Sequence, residues 1–391
     1  MARYIPAADE HSVRLVLKVE DDSSRAFKVV RPDSPALKLY NSVWGGGLES
    51  IFTRRPFGEA HPQIQGSPSH IWSFQRPEFM GSGPAEYFVR GEYIRAYEYI
   101  YNPPGPESYS ECDEDATTEP FPDLLDRLTA VIEANVPLPV DHRKLSLSAL
   151  AVTGQPGIGK TVYSTFLLLV RLFQKQEVAF VVSKDLIFLF KDDGVYQFKE
   201  SDLYNITENS HALLQHTWCL VDCNHDTPAV SMALVRSFPF IIQTASTRDD
   251  HLHWMKYSVN AICFYMAAWT ITEILVWYSI DRTLQKKITM EQLRYFYKTW
   301  GPSPQDARLY ANSSGLYEQT ATENICATVR SVAWFRWALR NKDRLYARDE
   351  ISPRIVLIVP TGDLGAPSYR ITTPDVLKLC LGVLHEEFGE M

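Results

Sequence analysis

The chain has 391 residues, 45% hydrophobic and 22% charged, a balance that excludes a largely disordered protein. With 39 Lys+Arg against 47 Asp+Glu the formal net charge is −8, so bulk charge does not support nucleic acid as a partner. Six scattered cysteines make no disulfide framework and fit a reduced, intracellular setting, cytoplasmic or nuclear.

Residues 1–10 contain Asp9 and Glu10 and no apolar run, so no secretory signal is expected. Residues 1–101 read as an N-terminal accessory or recognition region, mixed or β-rich, with strand-like runs at 13–19 and 26–30. The stretch 87–101 shows no clear type, and Trp44 to Gly47 illustrates the aromatic and glycine richness of the region. Residues 102–122, with Pro103, Pro104, Pro106 and the acids Glu111, Asp113, Glu114 and Asp115, read as an exposed linker that marks a domain boundary. Beyond it, 123–391 form the second unit.

That unit opens with Leu124, Leu125, Leu128, Val131 and Ile132 at helical spacing, which predicts a helix over 123–134. A buried strand over 145–152, a glycine-rich loop at 154–161 and an apolar helix over 162–174 follow. The pattern then predicts a strand over 177–182 and a hairpin of 186–190 with 195–198 about Asp192, Asp193 and Gly194. Short strands over 218–221 and 240–242 end at Asp222 and Gln243. Residues 259–277 carry only Glu273 as a charge, yet Thr270-x-x-Glu273 is a capping box, which starts a helix inside the stretch and argues against a membrane span. A second box, Thr289-x-x-Gln292, starts a helix that runs through Trp300. Helical sequence continues to about residue 344, then a strand over 355–359 and a helix over 374–384. Strands alternating with helices predict an α/β fold, a parallel sheet flanked by helices with a helical lid region.

Gly154-Gln155-Pro156-Gly157-Ile158-Gly159-Lys160-Thr161 fits G-x-x-x-x-G-K-[ST], the P-loop or Walker A pattern. Its glycines let consecutive N–H groups face inward as an anion nest, and the helix that follows adds its positive dipole end. In this reading residues 154–161 and Val162 bind a nucleoside triphosphate, Lys160 reaches the β- and γ-phosphates, and the Thr161 hydroxyl holds Mg²⁺. Asp222, at the end of an apolar strand, is the second metal-side residue, so Lys160 and Asp222 are the catalytic candidates. No glutamate follows Asp222, and Asp226 is the only nearby substitute for a water-activating base. Gln243, Thr244 and Ser246 stand where a γ-phosphate sensor would sit, and Arg248 could meet phosphate or a neighbouring subunit of a homo-oligomer, with a plain exposed loop as the equal alternative for each. Arg308 is read first as a solvated helix charge and second as a phosphate contact. His211, His216, Cys219, Cys223 and His225 lack paired zinc-ligand spacing.

With these residues the chain resembles the P-loop NTPases of the Crinkler and retrotransposon-hot-spot (RHS) type. The resemblance covers about 145–385 and rests on Gly154 to Thr161, on Leu220-Val221-Asp222, and on the segment from Phe264 to Glu273, similar to that group's "yM..W(S/T)..E". Gly301-Pro302-Ser303-Pro304 is similar to its Gly/Pro step, with Gln305 where an arginine is often found, and 355–360 to its late strand ending in proline. The resemblance implies an AAA- and STAND-like ATPase with ATP and Mg²⁺ as cofactors. Nuclease activity, found in some members, is not carried over. The function expected is Mg²⁺-dependent ATP hydrolysis coupled to a conformational change. A nucleotide-gated switch with little turnover and a phosphotransferase acting on a small molecule stay open as alternatives.

Overall fold

The computed structural model describes residues 27–56, 70–80, 86–101, 148–205, 214–223, 229–245, 249–258, 260–330, 354–360 and 367–388. The predicted strand at 13–19, the linker and the helix over 123–134 lie outside them. So do Asp226, Ser246 and Arg248.

An eight-stranded sheet organises the molecule. Its strands are β1 (Lys28–Val29), β5 (Ala149–Gly154), β6 (Val178–Ser183), β7 (Leu186–Lys191), β8 (Gly194–Phe198), β9 (Trp218–Asp222), β10 (Phe240–Thr244) and β11 (Ala261–Met266), in the order β1-β8-β7-β6-β9-β10-β5-β11. The five strands from β6 to β11 are parallel, and β10 is inserted between β5 and β9. β7, β8 and β1 add an antiparallel edge, the first two as the predicted hairpin, in which Lys191 pairs with Gly194. β5, β9 and β10 are buried throughout, which explains why their sequences are nearly all apolar instead of alternating.

The N-terminal segment is mixed, with more helix than its sequence announces. Helix α1 (Pro35–Val43) and α2 (Gly91–Tyr101) flank a three-stranded antiparallel sheet of β2 (Phe52–Pro56), β3 (His70–Gln75) and β4 (Glu86–Phe88). Its apolar residues, among them Tyr40, Phe74, Tyr93 and Ile100, share one hydrophobic cluster with α3 (Lys160–Phe173) and one face of the large sheet. The opposite face packs on α4 (Met232–Ser237) and Trp254.

After β11 the chain is helical. α5 (Ile271–Ile280) and α6 (Met290–Trp300) each start at the predicted capping box, with both reciprocal bonds formed. The apolar stretch 259–277 is thus divided between β11 and α5. Among the described residues no helix is long and apolar enough to cross a membrane. α7 (Pro304–Asn312) and α8 (Ser314–Arg330) lead to a C-terminal unit, in which the hairpin of β12 (Val356–Val359) and β13 (Ser368–Ile371) packs with α8 and α9 (Pro374–Phe388) around Ile325, Val329, Val356 and Val376.

Candidate functional site

β5 delivers Gly154 to the carboxyl edge of the parallel sheet, where ligands of open α/β sheets bind. Residues 155–159 turn over that edge, and α3 starts at Lys160. Three positions need glycine, the first being Gly154, at φ +140° against the Met266 carbonyl. Gly157 has φ +77°, and a side chain there would strike Gln305 and Ser303 at the start of α7. Gly159 is the helix N-cap at φ +102°, and the Tyr93 hydroxyl lies directly against it, donating to its carbonyl at 3.1 Å. The first N–H groups of α3 have no acceptor within their own helix and face the space above the loop with the positive end of the helix dipole.

Lys160 is folded back on the loop. Its Nζ donates to the carbonyls of Gly154 at 3.0 Å and Gln155 at 2.8 Å. Burial lowers its pKa to about 8, partly offset by the charge of Asp222. A phosphate anion at this point would restore the ammonium to its ordinary range.

Asp222 stands at the carboxyl end of β9, level with Thr244 of β10 in the parallel register. That register brings the Thr244 hydroxyl within 2.6 Å of Asp222 Oδ1, and Thr161 Oγ1 donates to the same oxygen at 3.1 Å. Ser164 Oγ completes the chain at 2.8 Å from Thr244 Oγ1. Burial raises the Asp222 pKa, and the two hydroxyls and Lys160 pull it back. Thr161 and Asp222 are therefore adjacent hard oxygen donors, a set that suits Mg²⁺. When bound, the ion would neutralise phosphate charge.

Gln243, a sensor candidate, points away from the loop. Its amide donates to the His251 carbonyl at 2.9 Å and accepts from Trp254 Nε1 at 2.7 Å, inside the core of the opposite face. Thr244 is the strand-end residue that reaches the site. Arg308 is paired with Asp281 at 2.8 Å and lies over the Trp277 ring, so its charge is already matched within the helices.

The loop is braced by residues that lie outside the P-loop pattern itself. Arg90, 1% exposed, donates through Nη1 to the Ile158 carbonyl at 3.0 Å. Its other nitrogens meet both carboxylate oxygens of Glu273 at 3.0 Å and the carbonyls of Ala267 and Ala268. Trp269 stacks under the guanidinium at 4.7 Å, and its Nε1 donates to the same Ile158 carbonyl at 2.8 Å. Met266, Trp269, Thr270 and Glu273 of the sequence segment noted above thus act as a scaffold: the Met266 backbone walls Gly154, the indole holds Ile158, and the capping-box glutamate fixes Arg90. Arg90 lies 183 residues from Glu273, and no local pattern announces it.

Gln155 also turns outward from the loop. Its amide donates to Val356 O at 2.9 Å and accepts from Ile358 N at 3.2 Å, which completes the outer edge of β12 as a neighbouring strand would. Arg354 pairs with Asp306 at 3.1 Å beside it. Together Gln155, Pro156, Trp300, Gln305, Asp306 and Arg354 line a cavity of about 250 Å³ between the loop, α7 and the C-terminal unit. Gln155→Ala is expected to remove the side-chain partner of Val356 O and Ile358 N, at a cost of about 1–3 kcal/mol. Amide hydrogen exchange would show faster exchange at Ile358, with the β5 amides unchanged.

The arrangement is a strand, a glycine loop with two left-handed turns, a helix starting at lysine, and an aspartate two strands away against the loop threonine. The fold is a P-loop NTPase fold.

No protein-family model matches the chain, and no curated protein matches it. Among solved structures, the RuvB Holliday junction branch migration motor of Thermotoga maritima overlays with a TM-score of 0.35 at 12% identity, covering 68% of this chain and 98% of that one. A sequence variant of the same protein gives 0.36 at 13%, covering 68% and 94%. An overlay this loose assigns no function.

Proposed function

We propose that the chain binds ATP with Mg²⁺ at residues 154–162 and couples its hydrolysis to a conformational change. The observation that carries this reading is the Thr161–Asp222 contact of 3.1 Å beside the Lys160 ammonium at the start of α3. In it the loop N–H groups cradle the phosphates, Lys160 leaves its two carbonyls to neutralise them, and Thr161 and Asp222 hold the metal. Kinship with the Crinkler and RHS type belongs to the same reading. It is supported by the work that the segment from Met266 to Glu273 does on the loop. We assign residues 1–101 as an accessory region and 123–391 as the NTPase unit. The contacts of Arg90 and Tyr93 with the loop make that region a support of the nucleotide site.

The full chain is tested with labelled ATP and Mg²⁺, recording binding and phosphate release together. Steady release that falls about 100-fold or more in Asp222→Asn, and with Mg²⁺ withheld, supports the reading. Binding without release supports the nucleotide-gated switch instead. No binding by the wild type at millimolar ATP overturns both.

A further inference from the structure

Helix α3 presents two hydroxyls to the ends of β9 and β10. Thr161 and Ser164 lie three residues apart, so they share one side of the helix and are separated by a rise of about 4.5 Å. Neighbouring strands of a sheet are about 4.8 Å apart. That match lets one turn of helix address two strands. Thr161 Oγ1 meets Asp222 of β9 at 3.1 Å, and Ser164 Oγ meets Thr244 of β10 at 2.8 Å. Backbone bonds keep the strand ends level, since Cys223 N donates to Thr244 O and Ala245 N to Val152 O. Ser164 and Thr244 are each 1% exposed and Asp222 7%, so water hardly competes for the two inner hydroxyls.

The direction of each proton follows from the groups present. An ionised carboxylate only accepts, and Thr244 has a single hydroxyl proton, which it gives to Asp222 Oδ1 at 2.6 Å. The Thr244 oxygen is therefore the acceptor toward Ser164, and the Ser164 proton points at it. Among the described residues, neither side chain makes any other hydrogen bond. Both hydroxyl bonds to the carboxylate, from Thr244 and from Thr161, fall on Oδ1. Oδ2 accepts none from the described residues.

We infer that Ser164 is a positioning residue for the metal side of the site, acting through Thr244 on Asp222. The inference rests on the reading of this site as one for ATP and Mg²⁺, and adds a residue beyond the loop pattern. By donating to Thr244, Ser164 fixes both the rotamer and the proton of that hydroxyl. Thr244 and Thr161 then hold the carboxylate by Oδ1, which leaves Oδ2 available to the ion. The bond from Thr244 to the carboxylate is charge-assisted and the strongest of the chain, and a donor behind it polarises it further. A serine that only filled space in α3 would matter equally with and without Mg²⁺.

The test measures ATP affinity of the full chain in EDTA and across a Mg²⁺ titration, beside thermal melting. It compares the wild type with Ser164→Ala, Ser164→Cys, Thr244→Val and the double variant Ser164→Ala with Thr244→Val. Ser164→Ala is expected to weaken ATP about 3- to 10-fold in Mg²⁺ and by less than about twofold in EDTA. Thr244→Val, which keeps the side-chain shape, weakens ATP about 10-fold or more in Mg²⁺. On that background Ser164→Ala adds less than about twofold, because its route to the carboxylate is already gone. Ser164→Cys, a weaker donor of similar shape, falls between the wild type and Ser164→Ala. Equal weakening with and without Mg²⁺ overturns the inference. So does an unchanged Mg²⁺ dependence in Ser164→Ala, or its full loss repeated on the Thr244→Val background. A wild type that binds no ATP overturns the ATP-binding reading itself and the inference with it.

Discussion

Lys160→Ala is expected to weaken Mg²⁺-ATP binding by at least about 100-fold while leaving the fold intact. In the free protein the ammonium holds the carbonyls of Gly154 and Gln155, so its removal loses two hydrogen bonds. The same substitution relieves a buried charge whose pKa burial has lowered to about 8. These effects oppose one another, and the net change in stability should stay within about 2 kcal/mol. Binding has no such cancellation. The triphosphate loses the one cation at the start of α3, and the dipole and N–H groups cannot replace a full charge. Calorimetric titration with Mg²⁺-ATP, beside a melting curve for each protein, separates the two. A Lys160→Ala chain that melts normally and binds ATP within tenfold of the wild type would remove Lys160 from the site.

The carboxyl edge of the parallel sheet was legible because its motif is local. Gly154 to Thr161 is contiguous, and Asp222 ends an apolar strand, so both could be placed before any contact was known. The two capping boxes at Thr270 and Thr289 likewise predicted helix starts that the structure forms. What stayed hidden depends on distant pairs. Arg90 is fixed by Glu273, and Gln155 by Val356 and Ile358, 183 to 203 residues away, and no periodicity encodes such partners. Gln155 shows the limit of motif reading: its backbone belongs to the loop, but its side chain serves β12. Gln243 shows another, since a polar residue at a strand end can face either side of the sheet, and here it faces the Trp254 core. Helix α1 was missed because aromatics and glycines dominate its surroundings, while Pro35 at its first turn sets the start.

Arg90→Met is expected to cost about 3–5 kcal/mol, the largest stability effect among these substitutions, because it strands the Glu273 carboxylate in the interior. Burial works against the Arg90 charge, and Glu273 more than offsets it, leaving the pKa above its ordinary value. If the pair acted only as an ion pair, Arg90→Met combined with Glu273→Leu would restore most of the stability, since apolar residues often replace buried pairs without loss. Here the guanidinium also serves the carbonyls of Ile158, Ala267 and Ala268. The double variant leaves Ala267 and Ala268 without that donor and Ile158 with Trp269 alone, and it removes the Glu273 half of the capping box. It should therefore recover less than half of the loss. ATP affinity should fall with it, because the Ile158 peptide is then held from one side only. Urea unfolding of the wild type, both single variants and the double variant gives the coupling directly. A double variant as stable as the wild type, with normal ATP affinity, would reduce the brace to a replaceable ion pair. The expected deficit would instead show that the N-terminal segment sets the shape of the phosphate loop.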